Sequence, residues 1–503
     1  MRSTLFTSLI LLLLAIPVLA EDYSASSFET EIADAGNNEA VAGVCRDFLT
    51  NSPDIDVRRN AQDKWRELDE NAARAYCFEA SLKNPKSAQW AYLAGRLAET
   101  PAKQIEFGRL AIKLNDKWPY GFRLLCAIYV GKVINGDPKS AEFADLKAEM
   151  TKDKNIFKQV AGLAPDQDWA QGFYYDFLLY EKDYKTALKL LETNKNIESG
   201  FASNSRFAEV NAGLGEFTEA LKSVSSDVES EISAAIANGY IEPGQIDQER
   251  NNYTVSMYAQ VLSSVGQNEY LLKWLKALPD ADSNPDILFR TAQTEASLGN
   301  IDDAFDYLKK STKAGFDQTS ALDRNAELSS LQKDPRWAGI VEAVKANWVA
   351  GAPKRKEAVI AKKFSKTAPD WKLQDDKGGS VRLADLKGQV VILDFWATWC
   401  GPCRMAMPVI DNFVKTAKPK GVRVFSVNTW ENNPAKASTF MKENGYAMEL
   451  VYGNNDVAKS YGISGIPYIC AVDKSGNIRF EAKGFSDTLQ EELVWWTEYL
   501  LAE

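Results

Sequence analysis

The spacing of apolar positions changes part-way along the chain. From about residue 25 to 350, apolar residues recur every three or four positions, and Gly and Pro fall mostly between the runs. Strand-like alternation is scarce there, so the pattern predicts helix after helix. After residue 366 the pattern switches. Val390 to Phe395 reads V-V-I-L-D-F, a continuous apolar run suited to a central strand buried on both faces. Helices are expected at 404–418 and 434–444, extended segments at 422–428 and 448–452, and a hairpin of 468–472 with 477–483 turning at Lys474-Ser475-Gly476. An amphipathic helix over 486–501 closes the chain. Strands alternating with helices predict a sheet covered on both faces.

The helical part contains a weak repeat. L-G-E-F-T-E-A-L-K-S-V begins at Leu214 and L-G-N-I-D-D-A-F-D-Y-L at Leu298, each with an Ala five residues after its Gly. Aligned on that Ala, the positions are Ala187, Ala220, Leu271 and Ala304. The first two are 33 apart and so are the last two. The middle interval of 51 implies an insertion around 232–248. A small residue at this position lets two helices approach closely. The pattern resembles the second helix of a tetratricopeptide repeat (TPR), whose period is about 34 residues; an irregular helical array without shared ancestry is the alternative. In either case, helical hairpins that cannot bury their apolar faces alone stack on their neighbours.

Segment boundaries follow. Residues 1–20 read as an export signal: Arg2, a short apolar run from Leu9 to Ile16, and Val18-Leu19-Ala20 before Glu21-Asp22. An uncleaved anchor is the alternative. The expected organisation is a signal peptide over 1–20, a helical domain over 25–350, a charged linker over 351–366 and an α/β domain over 367–503. Gly351, Pro353 and the cationic run Lys354, Arg355, Lys356, Lys362, Lys363 and Lys366 are the linker signal, since like charges extend a chain.

Composition enters mainly by exclusion. The 503 residues carry 59 Lys plus Arg against 69 Asp plus Glu, a net charge of −10, which argues against nucleic acid as a partner. There is no histidine. Ser–His and Cys–His nucleophile pairs, His-containing zinc sites and covalent haem attachment are therefore excluded, and no metal or bound cofactor is expected.

The chemistry lies in Cys400-Gly401-Pro402-Cys403, placed just after the buried strand and at the start of a helix. Backbone N–H groups and the helix dipole there favour a thiolate on Cys400. Lowering a cysteine pKa from ~8.5 to ~7 raises the reactive fraction at pH 7 roughly 15-fold.

The stretch V-I-L-D-F-W-A-T-W-C-G-P-C-R from Val391, with Y-G-I-S-G-I-P from Tyr461, resembles thioredoxin in order and spacing. The opening A-P-D-W-K-L-Q-D-D-K-G-G-S-V-R-L from Ala368 is similar to the extra hairpin of the TlpA-like and ResA-like branch, extracytoplasmic reductases. The resemblance covers about 365–503 and implies a thioredoxin-like fold after the TPR-like array. It implies that Cys400 is the attacking nucleophile, Cys403 the resolving thiol and Asp394 the buried carboxylate that exchanges the Cys403 proton. It assigns substrate contact to Trp399, Gly401, Pro402, Ile466 and Pro467, with a cis bond before Pro467, and a helix kink to Pro408. The family's lysine beside the buried Asp is Ser426 here, and Glu431, from a neighbouring segment, reads as a solvated loop residue, with action near the site as the alternative.

The function implied is an exported thiol–disulfide oxidoreductase that reduces protein disulfides, with the helical repeats recruiting a partner and a membrane or soluble thiol supplying electrons. A scaffold with a peptide-binding thioredoxin-like module and a disulfide oxidase or isomerase are the alternatives. A peroxiredoxin is disfavoured, because Leu393 and Ala397 stand where its Pro and Thr would be. Cys45 and Cys77 are candidates for a structural disulfide, while Cys126 and Cys470 read as buried small hydrophobes. An oxidising compartment, periplasmic or secreted, is expected.

Overall fold

The structure is a computed structural model that describes residues 22–194, 202–237, 243–416, 418–431 and 434–503. The expected export signal lies outside the described residues. The chain divides into two compact units, Met1–Tyr270 and Leu271–Glu503, instead of parting near residue 350.

All described residues of the first unit in regular structure are helical. Side-chain caps start many of the helices. Asn37, Asp54, Asp69, Ser87 and Thr100 each accept a first-turn amide, satisfying a donor that the helix itself leaves orphaned. Consecutive helices pair: Asn38–Asn51 on Ile55–Leu68, Ala88–Arg96 on Pro101–Leu114, Asn204–Leu214 on Phe217–Ala237. Ile55–Leu68, Ala88–Arg96, Pro119–Tyr129 and Asp168–Tyr180 also touch in succession, so alternate helices form a layer.

The repeat has a physical basis in its turns. Gly215, Gly266 and Gly299, each five residues before a repeat position, have φ of 82°, 77° and 83°. The amide one residue further on closes a 2.8–2.9 Å bond to a carbonyl five residues back: Glu216 to Asn211, Gln267 to Leu262, Asn300 to Glu295. This is the Schellman helix end, which requires a left-handed residue. The fourth copy has the same bond, Asp183 to Leu178 at 2.8 Å, but with Lys182 at φ 57° in place of glycine. Ala187, Ala220, Leu271 and Ala304 are all buried on the helices that follow. The middle interval is long because Phe217–Ala237 and Ile246–Ser264 are long helices. A side chain in the left-handed region costs about 1 kcal/mol. Lys182→Gly is therefore expected to stabilise the first unit by about that amount in urea unfolding; no gain would mean that the Lys182 side chain compensates the strain.

The expected Cys45–Cys77 disulfide is absent: both are free and fully buried, as are Cys126 and Cys470. Cys45 sits in the Asn38–Asn51 helix and Cys77 in Glu70–Lys83, and the Cys77 sulfur accepts a hydrogen bond from Gln62 Nε2 at 3.3 Å. Burial pushes the thiols up to about 12 for Cys45 and about 11 for Cys77, so the thiolate needed for oxidation is scarce.

The expected linker is also corrected. Trp337–Ala361 is one helix with Pro353 inside it. Two of its cations are held by acidic partners instead of extending the chain: Arg355 pairs with Glu491 and Asp317, and Lys356 with Glu498. Glu491 and Glu498 lie on the closing helix Leu489–Ala502, against which the Trp337–Ala361 helix packs.

The sheet contains β1 (Lys366–Thr367), β2 (Lys372–Asp375), β3 (Ser380–Arg382), β4 (Val390–Trp396), β5 (Val422–Asn428), β6 (Glu449–Tyr452), β7 (Tyr468–Val472) and β8 (Asn477–Lys483), in the order β1-β8-β7-β4-β5-β6-β2-β3. β4 pairs parallel with β5 and antiparallel with β7, and every β4 residue is buried. Val390, Ile392 and Trp396 face a layer with Met407, Ile410, Leu493 and Trp496, and Val391, Leu393 and Phe395 face the opposite layer with Trp371 and Phe425. The expected extra hairpin is β2–β3, which extends the sheet beyond β6.

Candidate active site

β4 delivers the site. It ends at Trp396, and five residues later the helix Gly401–Thr416 begins. Cys400 lies at that turn, and its carbonyl accepts the first helical bond, from Arg404 N at 3.1 Å. Cys400 and Cys403 form a disulfide. The Cys403 amide donates to Cys400 Sγ at 3.1 Å, a backbone donor already aimed at the sulfur that would carry charge. Cys403 is fully buried, whereas Cys400 lies under the surface at 4% exposure beside exposed Trp399 and Met405.

The loop before β7 faces this sulfur. The Ile466–Pro467 peptide bond is cis, and the Ile466 carbonyl oxygen lies 3.6 Å from Cys400 Sγ.

Asp394 lies beneath. Its parity on β4 is that of Ile392 and Trp396, so it points into the layer that holds Cys403, Ala406 and Met407. It is 1% exposed, and neither carboxylate oxygen has a hydrogen-bond partner among the described residues. Burial alone raises its pKa from 3.8 to about 7. Its register partner on β5 is Ser426, whose buried hydroxyl is likewise unpartnered. The absent lysine thus leaves an uncharged neighbour, and desolvation sets the proton affinity of Asp394.

Residues 364–481 match the AhpC/TSA family. Thiol-disulfide oxidoreductase ResA of Bacillus subtilis (strain 168) is 33% identical over 128 residues, 25% of this chain and 69% of that protein. ResA of Geobacillus kaustophilus is 34% identical over 114 residues, 22% of this chain and 65% of the relative, just under two-thirds of its length. The chain belongs to the ResA-like thiol-disulfide oxidoreductase family. Among solved structures, a putative thiol:disulfide interchange protein DsbE from Chlorobium tepidum is 30% identical, covering 27% of this chain and 96% of that one at a TM-score of 0.26. StoA from Bacillus subtilis is 26% identical, covering 26% and 97% at 0.24.

In this ResA-like protein, Cys400, Cys403, Trp399, Gly401, Pro402, Ile466 and Pro467 come together, and Pro408 lies inside the helix as expected. Glu431 does not match its reading as a solvated residue. It is half-buried, and its Oε2 accepts the Thr398 amide at 2.8 Å. Trp430, at φ 55°, offers its carbonyl to Trp399 Nε1 at 3.0 Å. Thr429 N donates to the Trp396 carbonyl at 2.8 Å. The segment after β5 thus braces the loop that carries Cys400. Sequence reasoning missed this brace; its one visible signal was a polar and aromatic N-T-W-E directly after a buried strand.

Proposed function

We propose that this protein is an exported dithiol–disulfide exchange enzyme that reduces disulfides in other proteins. The observation that carries the reading is the Cys400–Cys403 disulfide at a helix start, with Cys400 against the cis Ile466–Pro467 bond and Cys403 buried in the layer that Asp394 faces.

In the reduced enzyme, the Cys400 thiolate attacks one sulfur of a substrate disulfide. A mixed disulfide forms, and the other substrate sulfur leaves as a thiolate and takes a proton from water. Asp394, about half ionised near pH 7, accepts the Cys403 proton. The Cys403 thiolate then attacks Cys400 Sγ, expelling the second substrate sulfur and closing the Cys400–Cys403 disulfide. Two electrons pass from the cysteine pair to the substrate. A dithiol donor, membrane-bound or soluble, returns them by the same exchange in reverse. Sulfur chemistry supplies the whole step, so no bound cofactor takes part. Trp399, with Gly401 and Pro402, forms the rim on which a substrate segment lies, and the Ile466 backbone pairs with it as an added strand would. The helical part recruits the partner, and an oxidising extracytoplasmic compartment is the place of action. No helix among the described residues is long and apolar enough to cross a membrane.

Cys403→Ser tests the order of attack. This variant is expected to accumulate partners linked covalently through Cys400, because nothing resolves the mixed disulfide. Non-reducing electrophoresis with mass spectrometry reads it directly. No adduct, or adducts that persist in a variant also lacking Cys400, would reject the assignment.

A further inference from the structure

The first unit carries a row of rings unrelated to the thiol site. Tyr92 lies 5.5 Å from Trp118 and 5.7 Å from Tyr120, Tyr120 lies 5.8 Å from Trp169, and Trp169 lies 6.1 Å from Phe173. These residues come from, or lie next to, the helices Ala88–Arg96, Pro119–Tyr129 and Asp168–Tyr180. Trp118, Tyr120, Trp169 and Phe173 are half-buried, packed against the core and open on their other side. Trp118 also lines a pocket of about 180 Å³ together with Lys86, Gln89 and Asn115.

Arg123 stands in the middle of the row. Its guanidinium is held 5.5 Å from the Tyr120 ring and 4.6 Å from the Trp169 ring. Among the described residues it makes no hydrogen bond and no ion pair, although it is half-buried. Its neighbour Arg59, from Ile55–Leu68, is already neutralised by Asp56, to which Tyr120 also donates. Burial first, and the charge of Arg59 second, pull the Arg123 pKa below the ordinary guanidinium value. Asp56 attracts Arg123 as well, without an ion pair between them. A cation with five donors, oriented by two rings and bonded to no carboxylate among the described residues, is prepared for a planar carboxylate.

We propose that this layer of the helical unit binds an extended acidic segment of a partner protein, with an Asp or Glu side chain on Arg123 and the neighbouring residues across the rings. The row favours a polypeptide over a small anion. The rings come from three adjacent helices, which span roughly 16–20 Å at 8–10 Å per spacing, and this matches about five or six extended residues. Rings lie on both sides of Arg123, so the bound chain runs through the site, and the carboxylate belongs to a side chain, not a chain terminus. The inference rests on the helical part being the recruiting module, and it is independent of the thiol chemistry.

Fluorescence anisotropy with the full chain tests it. One probe is a fluorescein-labelled octapeptide amide alternating Glu with Leu; the second replaces each Glu with Gln; the third is the Gln peptide with a free C-terminal carboxylate. The Glu peptide is expected to bind at least tenfold more tightly than either Gln peptide, and Arg123→Gln to weaken it at least tenfold. Equal binding of the Glu and Gln amides would overturn acidic recognition while leaving a recruiting surface. Binding of none of the three would overturn both. Restoration of full affinity by the free carboxylate would overturn the side-chain assignment. The peptide comparison on the unmutated chain decides the matter even where Arg123→Gln fails to fold.

Discussion

Cys400→Ser is expected to bring disulfide reduction down to the uncatalysed rate, a loss of roughly 10³-fold or more, equivalent to about 4 kcal/mol or more of activation free energy. A serine hydroxyl does not ionise near neutral pH and does not form the mixed disulfide. Cys403 is no substitute, because it is fully buried and no substrate sulfur reaches it. The four remaining cysteines are buried as well, and burial raises the thiol pKa of each. The swap is nearly isosteric, so the fold should persist. The rate of reducing a disulfide-linked test protein, with circular dichroism as the folding control, measures this effect. Residual activity above a tenth of the original would place the nucleophile elsewhere.

Asp394→Asn should produce the largest effect on stability, with a sign that depends on pH. The folded pKa of Asp394 is about 7 against an ordinary 3.8, so its folded-state pKa is raised. Below about pH 4 the carboxyl is protonated in both states and carries no ionisation penalty. Between about 4 and 7 the unfolded chain loses the proton while the folded chain keeps it, so stability falls as pH rises. Above 7 both states are ionised and the penalty is constant, on the order of 4 kcal/mol. Asparagine removes that penalty but buries an amide, which costs about 1–3 kcal/mol where it stays unpaired. The variant is therefore expected to be more stable than the original by about 2 kcal/mol at pH 8, and equal or less stable at pH 4.5. It should also resolve mixed disulfides more slowly. Guanidinium unfolding of the oxidised proteins at several pH values reads the difference; parallel pH profiles would show that Asp394 ionises freely in the fold.

The thiol site was legible because its information is local. V-V-I-L-D-F specifies a buried strand, the next turn carries both cysteines, and Pro467 lies just before the neighbouring strand β7. The repeat was legible through glycine, since a left-handed helix end leaves few other choices, and Lys182 escaped notice for the same reason. What stayed hidden depends on residues far apart in the chain. The cationic run at 354–356 reads as a linker until Glu491 and Glu498 are known to face it. Glu431 reads as a surface residue until the Thr398 amide is beside it. Cys45 and Cys77 looked available for pairing, yet each is sealed into the helical core. The ring row draws on positions 92, 118, 120, 169 and 173, and no window of sequence contains them together.

The central claim is that Cys400 and Cys403 form a reversible couple poised to reduce other disulfides. Equilibrating the full chain in dithiol–disulfide buffers and counting the Cys400 and Cys403 thiols by mass spectrometry measures its potential directly. Gly401 and Pro402 between the cysteines predict a value near that of thioredoxin, about −270 mV. A value near −120 mV, typical of a strong oxidant, would contradict the claim and make the protein a disulfide donor.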